Sequence, residues 1–168
     1  MPCGEEAGSG TRVRGAITED VEIIHSLACE LAGTVGDSLP RLENVRGRLV
    51  ELLEEPRARV LVAEGGDGDV VGVASVWIKP DLAHGDTVVE VPMLVVTEGS
   101  RGEGVGKALM EEVQRLAAEN EAHLIELVAT TQNVAAREFY RTLGFVETDH
   151  ITLEFVGDME DPPDPEED

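Results

Sequence analysis

The stretch from Thr87 to Ala129 constrains the fold more than any other part of the chain. An apolar, β-branched run from Thr87 to Val96 gives way to a glycine-rich turn. A stripe of Val105, Leu109, Val113, Leu116 and Ala117 follows, and then a second apolar run from Leu124 to Ala129. The stripe repeats at spacings of three and four, which marks one face of a helix. Strands joined through such a helix pair in parallel, and the crossover is right-handed.

The remaining patterns build a sheet around this unit. Arg12 to Ala16 reads as a short first strand. Val21, Ile24, Leu27, Ala28 and Leu31 mark a first helix, with Thr18 and Asp20 as candidate caps and Gly33 and Gly36 as its stop. Leu42, Val45, Leu49, Leu52 and Leu53 mark a second helix that ends near Pro56. Val60 to Ala63 and Val70 to Ile78, separated by Gly65-Gly66-Asp67-Gly68-Asp69, read as a hairpin, and Pro80 to Gly85 as a loop. Ala136, Phe139, Tyr140 and Leu143 give another helix face, closed by Gly144. Phe145 to Phe155 reads as a last strand, because Ile151, Leu153 and Phe155 alternate with Thr152 and Glu154. The predicted order is β α α β β β α β α β: a mixed α/β sheet in one domain over residues 11–156. Residues 1–10 and the Pro- and acid-rich stretch 157–168 are expected to be disordered tails.

Charge narrows the partners. Thirteen Lys and Arg stand against 35 Asp and Glu, a net charge of −22. Such a field repels nucleic acid and anionic lipid and attracts a cationic substrate. Lys79 and Lys107 are the lysines of the chain. Many acids with so few lysines resembles the composition of proteins from salt-adapted cells. No run of 18 apolar residues exists, and the N-terminus lacks the basic start and apolar stretch of a signal peptide, so a cytoplasmic protein is the default expectation. Cys3 and Cys29 have no CxxC partner, and His25, His123 and His150 have no metal-ligand spacing. No metal is expected. Cys29 reads as a small core hydrophobe.

The turn Arg101-Gly102-Glu103-Gly104-Val105-Gly106-Lys107 lies between a strand and a helix. The first turn of a helix has amides without helical partners and carries partial positive charge, so it receives a phosphate that can come close. Gly102, Gly104 and Gly106 remove the side chains that would block such an approach, and Arg101 and Lys107 add charge. Ala108 follows Lys107 where a Walker A loop needs Ser or Thr, and Lys107 stands where a dinucleotide fingerprint needs Gly. A glycine-rich turn can also serve only to let strand and helix pack tightly. Downstream, Asn133 suits a helix N-cap, or its side chain reaches a ligand amide. Tyr140 beside Phe139 suits a core position with its hydroxyl satisfied by backbone.

Together these two segments resemble the GNAT superfamily of N-acetyltransferases. Arg101, Gly104 and Gly106 match its Arg-x-x-Gly-x-Gly pyrophosphate loop. Asn133, Ala136, Phe139, Tyr140, Gly144 and Phe145 match its second motif, and the element order agrees from about Arg12 to Phe155. The resemblance implies a mostly antiparallel sheet, with one parallel pair splayed around acetyl-CoA and helices on both faces. It implies that the amides of Gly102, Glu103, Gly104, Val105, Gly106 and Lys107 hold the pyrophosphate. Backbone groups of Leu94, Val95 and Val96 would pair with the pantetheine and polarise the acetyl carbonyl. Asn133 would hold the pantetheine arm, and Tyr140 would donate a proton to the departing thiolate.

The acceptor implied is a primary amine of a small molecule or peptide. Glu90 is the first candidate for the base that deprotonates it, and His84 the alternative. His25 and Glu30 of the first helix, Trp77 and the loop Pro80–Gly85 would shape its site. Pro92 breaks the pattern, because a proline inside a strand marks an edge or a bulge. Homodimerisation is common among proteins of this resemblance, and nothing in the sequence locates an interface. The other functional class open to this sequence is a non-catalytic acyl-CoA-binding module for regulation or interaction.

Overall fold

The computed structural model describes residues 10–155 and residue 157. The expectations for the two tails fall outside the described residues, apart from Gly10 and Gly157. Among the described residues the elements are β1 (Arg12–Gly15), α1 (Val21–Val35), α2 (Leu42–Glu54), β2 (Ala58–Glu64), β3 (Val70–Asp81), β4 (Asp86–Val96), α3 (Val105–Glu119), β5 (Leu124–Glu126) and α4 (Val134–Thr142). The five strands lie in the order β1-β2-β3-β4-β5, so β3 is central. The first three neighbouring pairs are antiparallel, and β4 with β5 is the parallel pair.

Each face of the sheet carries its own core. Leu61, Ala63, Ala74, Val76, Val89 and Val91 pack with Val105, Leu109, Met110, Val113, Leu116 and Ala117 of α3. On the other face Val60, Val62, Val73 and Val95 pack with Val21, Ile24 and Leu27 of α1 and Leu49 of α2. Alternation along β2 and β3 sends successive side chains to opposite layers, as a sheet covered on both sides requires. At Gly72 the approach is close: a Cβ there would lie 3.1 Å from Val105 and Leu109, which fixes the start of α3 against β3.

Several expectations need correction. The last strand does not form: Phe145 to Phe155 is irregular, and Ile151, Leu153 and Phe155 are 79%, 85% and 95% exposed. Their alternation is a local pattern, and a strand also needs an edge to pair with. The β5 strand, which stops at Glu126 rather than Ala129, presents only a short one. Helix α1 runs through Gly33 and stops at Gly36, whose positive φ makes the left-handed cap. Neither Thr18 nor Asp20 caps α1 with its side chain. Thr18 opens a short 3₁₀ turn, and the Asp20 carboxylate is engaged by Arg14 and the Ile17 amide. Cys29 is half-buried rather than core, with its Sγ 3.4 Å from His25 Nε2. Cys3 lies outside the described residues.

Candidate active site

Pro92 sits where the sheet loses its regularity. Ser75 opposes Met93 and Trp77 opposes Glu90, so Val76 faces two residues, Val91 and Pro92, in a bulge. The bulge reverses the facing of β4. Before it, Val89 and Val91 join the α3 layer; after it, Leu94 and Val96 pack against that layer, while Met93 and Val95 turn to the α1 layer. Pairing between β4 and β5 covers only Val88 to Glu90 against Leu124 to Glu126. Beyond it the two strands part, leaving a cleft of about 260 Å³ lined by Glu90, Val91, Pro92, Glu126, Leu127 and Val128. A larger hollow of about 450 Å³ lies elsewhere, against the C-terminal end of α2 and the first residues of β2. It gathers none of the candidate residues.

The β4 residues after the bulge have free backbone on one side. The Thr97 amide donates to Val71 O on β3 at 2.9 Å. By alternation Val95 also faces β3, whereas Leu94 and Val96 turn their backbone groups toward the gap. The Val96 carbonyl accepts from Arg101 Nε at 3.0 Å, in keeping with that direction. Of the three residues expected to offer backbone to a ligand, Leu94 and Val96 face the gap and Val95 is committed to the sheet.

The turn that follows is a run of amides without backbone acceptors. Arg101 N bonds to Glu98 O and Ala108 N to Gly104 O. Among the described residues, none of the six amides from Gly102 to Lys107 donates to a carbonyl. Gly102 and Gly104 hold this shape with φ of +81° and +84°, and open space surrounds the position a Cβ would take. Glycine is needed there for conformation. Gly106 has a different cause: its Cβ would lie 2.9 Å from the ring of Phe139, so it lets α4 close on α3. Lys107 and Glu103 are exposed, and Arg101 is half-exposed.

Asn133 caps α4, its Oδ1 accepting from Ala136 N at 3.2 Å. Tyr140 is half-buried on the α3 side, its ring 5.2 Å from that of Phe139 and 5.6 Å from that of Phe145. Burial pushes its phenol above the usual tyrosine range. The expectation of a backbone partner fails, because its hydroxyl bonds to no other described residue.

Glu90 points to the opposite face, in alternation with Val89 and Val91. Lys79 Nζ bonds to it directly. Trp77 is its register partner on β3 and shares that face. Glu126, which is not among the residues expected from the sequence, is its register partner on β5 and lines the same cleft. Alternation of Glu126 with Ile125 and Leu127, which pack on the α3 layer, was the available signal. His84 stands apart in the β3–β4 turn, its Nδ1 2.6 Å from Asp81 Oδ2. That carboxylate raises the pKa of the imidazole and is itself lowered by it. On α1, His25 Nε2 bonds to Pro40 O at 2.8 Å. Glu30 reaches the segment before the glycine-rich turn rather than the cleft between β4 and β5. The described residues contain no group of three or more metal-ligating side chains. No described helix is long and apolar enough to cross a membrane.

The splayed parallel pair, the bulge and the free amides coincide with a known pattern. The acetyltransferase (GNAT) family model matches residues 22–145. The chain belongs to that family. It is 29% identical over 133 residues to an aminoalkylphosphonate N-acetyltransferase of Salmonella typhimurium, covering 79% of this chain and 83% of that protein. It is 34% identical over 105 residues to a mycothiol acetyltransferase of Beutenbergia cavernae, a match over 62% of this chain and 33% of that longer protein. A transcriptional regulator from Bacillus halodurans C-125 shares the fold, with a TM-score of 0.76 at 24% identity over 88% of this chain and 99% of that one. The expected mixed sheet with one parallel pair is therefore the GNAT fold, and acyl transfer is the chemistry for which the family is named.

Proposed function

We propose that this GNAT protein transfers the acetyl group of acetyl-CoA to a primary amine of a cationic small molecule or peptide, by direct attack of the amine. The run of free amides from Gly102 to Lys107 carries the reading. Six N–H groups at the start of α3, with the positive end of its dipole, suit a diphosphate, and Arg101 and Lys107 supply countercharge. Acetyl-CoA brings an activated acetyl group on a good leaving thiolate.

The chain's own residues do the rest. Leu94 and Val96 offer backbone polar groups along the gap, one to pair with the pantetheine and one to stabilise charge on the carbonyl oxygen. Asn133 retains a free amide nitrogen after capping α4, which suits the pantetheine arm. Tyr140 keeps its proton at neutral pH, and its hydroxyl is free to give it to sulfur. Glu90 and Glu126 line the cleft on the opposite face, where an ammonium group would be held before it loses its proton. Lys79 engages Glu90, which leaves Glu126 the less encumbered of the two. The phenol and the carboxylates thus belong to opposite faces of the sheet, and the gap between β4 and β5 joins them. Acetyl-CoA supply makes the cytoplasm the expected compartment.

Calorimetric titration with acetyl-CoA, followed by a panel of aminoglycoside-like, polyamine-like and peptide amines with release of free thiol as the signal, tests the assignment. Binding with turnover of at least one amine is expected. Binding without turnover of any amine would transfer the protein to the class of acyl-CoA-binding modules. Absence of binding would remove both.

A further inference from the structure

Glu30 lies in the C-terminal half of α1, and both oxygens of its carboxylate are engaged. Oε1 accepts the Glu98 amide at 2.7 Å, Oε2 accepts the Thr97 hydroxyl at 3.1 Å, and Arg101 Nη2 stands 3.6 Å from Oε1. These partners are 67 or more positions away in the chain, so this is a tertiary tie. Thr97 to Arg101 is the whole passage from the end of β4 to the first free amide. Within it a short 3₁₀ turn, Glu98–Ser100, begins with no side-chain cap of its own, and the Glu98 amide has no other acceptor. Glu30 therefore caps that turn from another element. With Val96 O it also fixes where the Arg101 side chain rests.

Resting on the acetyl-CoA reading above, we propose that Glu30 is a positioning residue for cofactor binding. From α1 it holds Thr97, Glu98 and Arg101 so that the amides from Gly102 onward stand ready for a diphosphate. The physical basis is preorganisation. A nest of amides binds an anion well only if its geometry is set beforehand, and charge-assisted bonds from one carboxylate are the strong means of setting it. The glycines at 102 and 104 make this segment easy to disorder, which is why an external tie is needed. The tie also makes α1 part of the cofactor site, although none of its residues lines the cleft between β4 and β5.

The test is calorimetric binding of acetyl-CoA to the wild type, Glu30→Ala and Glu30→Gln, with thermal melting of each protein without ligand. Glu30→Ala is expected to weaken binding about tenfold, the order of one charged hydrogen bond. Glu30→Gln, which keeps an oxygen for the Glu98 amide, is expected to recover most of that loss. Melting temperatures should stay close together, because Glu30 and its partners lie outside the two packed cores. Unchanged affinity in Glu30→Ala overturns the assignment while leaving the acetyl-CoA reading intact. Equal losses in both variants, tracking a fall in melting temperature, overturn it in favour of a general structural role. No binding by the wild type overturns both.

Discussion

Asp20 joins the first strand to the first helix with a carboxylate under several claims. Arg14 grips it in a fork at 2.8 and 2.9 Å, the Ile17 amide donates at 2.8 Å, and Arg14 also reaches Glu64 on β2 at 2.6 Å. The bonds from Arg14 hold the Asp20 pKa below the usual range despite burial. Asp20→Asn should therefore cost about 2–3 kcal/mol in urea unfolding at neutral pH. The sign with pH follows. A lowered pKa means that the stabilisation is present above the unfolded value, near about 4, and is lost as pH falls through the folded value. The difference between wild type and variant should shrink over that acidic window, and a constant difference would contradict the ion-pair account. Tyr140 works in the other direction, because burial favours its neutral form. If it is the proton donor, Tyr140→Phe should lower kcat by about 100- to 1,000-fold without changing acetyl-CoA affinity. Thiol-release kinetics would check this, and a variant with wild-type kcat would remove Tyr140 from the chemistry. The alkaline fall in wild-type activity should come above about pH 10, since the folded phenol holds its proton longer than a free one.

The elements were legible wherever a periodic pattern and a partner surface agreed. The stripe of α3 could be read directly, and the parallel crossover followed from it. The flip in β4 was also present in the chain, as Val89 and Val91 followed by Leu94 and Val96, and Pro92 marked the point. What single positions could not reveal was their cause. Gly102, Gly104 and Gly106 look equivalent in the sequence, yet two are required by backbone conformation and the third by the Phe139 ring. That distinction depends on which helix closes on which, a long-range fact. It predicts that Gly106→Ala destabilises the protein by about 1–3 kcal/mol, with partial rescue by Phe139→Leu, in thermal melting of the single and double variants. No rescue would mean that the contact is not the cause. The terminal strand and Glu126 failed for related reasons: alternation specifies two faces but not a neighbour.

Across the whole molecule, a net charge of −22 would act oppositely on the two substrates proposed above. Under that proposal acetyl-CoA, an anion, would reach the amide-rich, Arg- and Lys-flanked turn through a repulsive field, while a cationic amine would be drawn in by it. Raising the salt from about 20 to 300 mM shortens the range of both effects. The KM for a cationic acceptor should therefore rise with salt, while that for acetyl-CoA falls or stays level. Parallel responses in steady-state kinetics would show that the bulk field plays no part in selecting the acceptor. The same self-repulsion predicts a melting temperature that climbs with ionic strength.

A sheet packed on both sides is ordinarily a wall. Here it has a window whose sill is a proline: with no hydrogen on its nitrogen, Pro92 has no amide to donate to either neighbour at the level where β5 turns away. In the proposed mechanism, an acceptor on one side and a proton donor on the other reach the same acyl group through that opening. On the proposed reading, the passage is built into the strand itself.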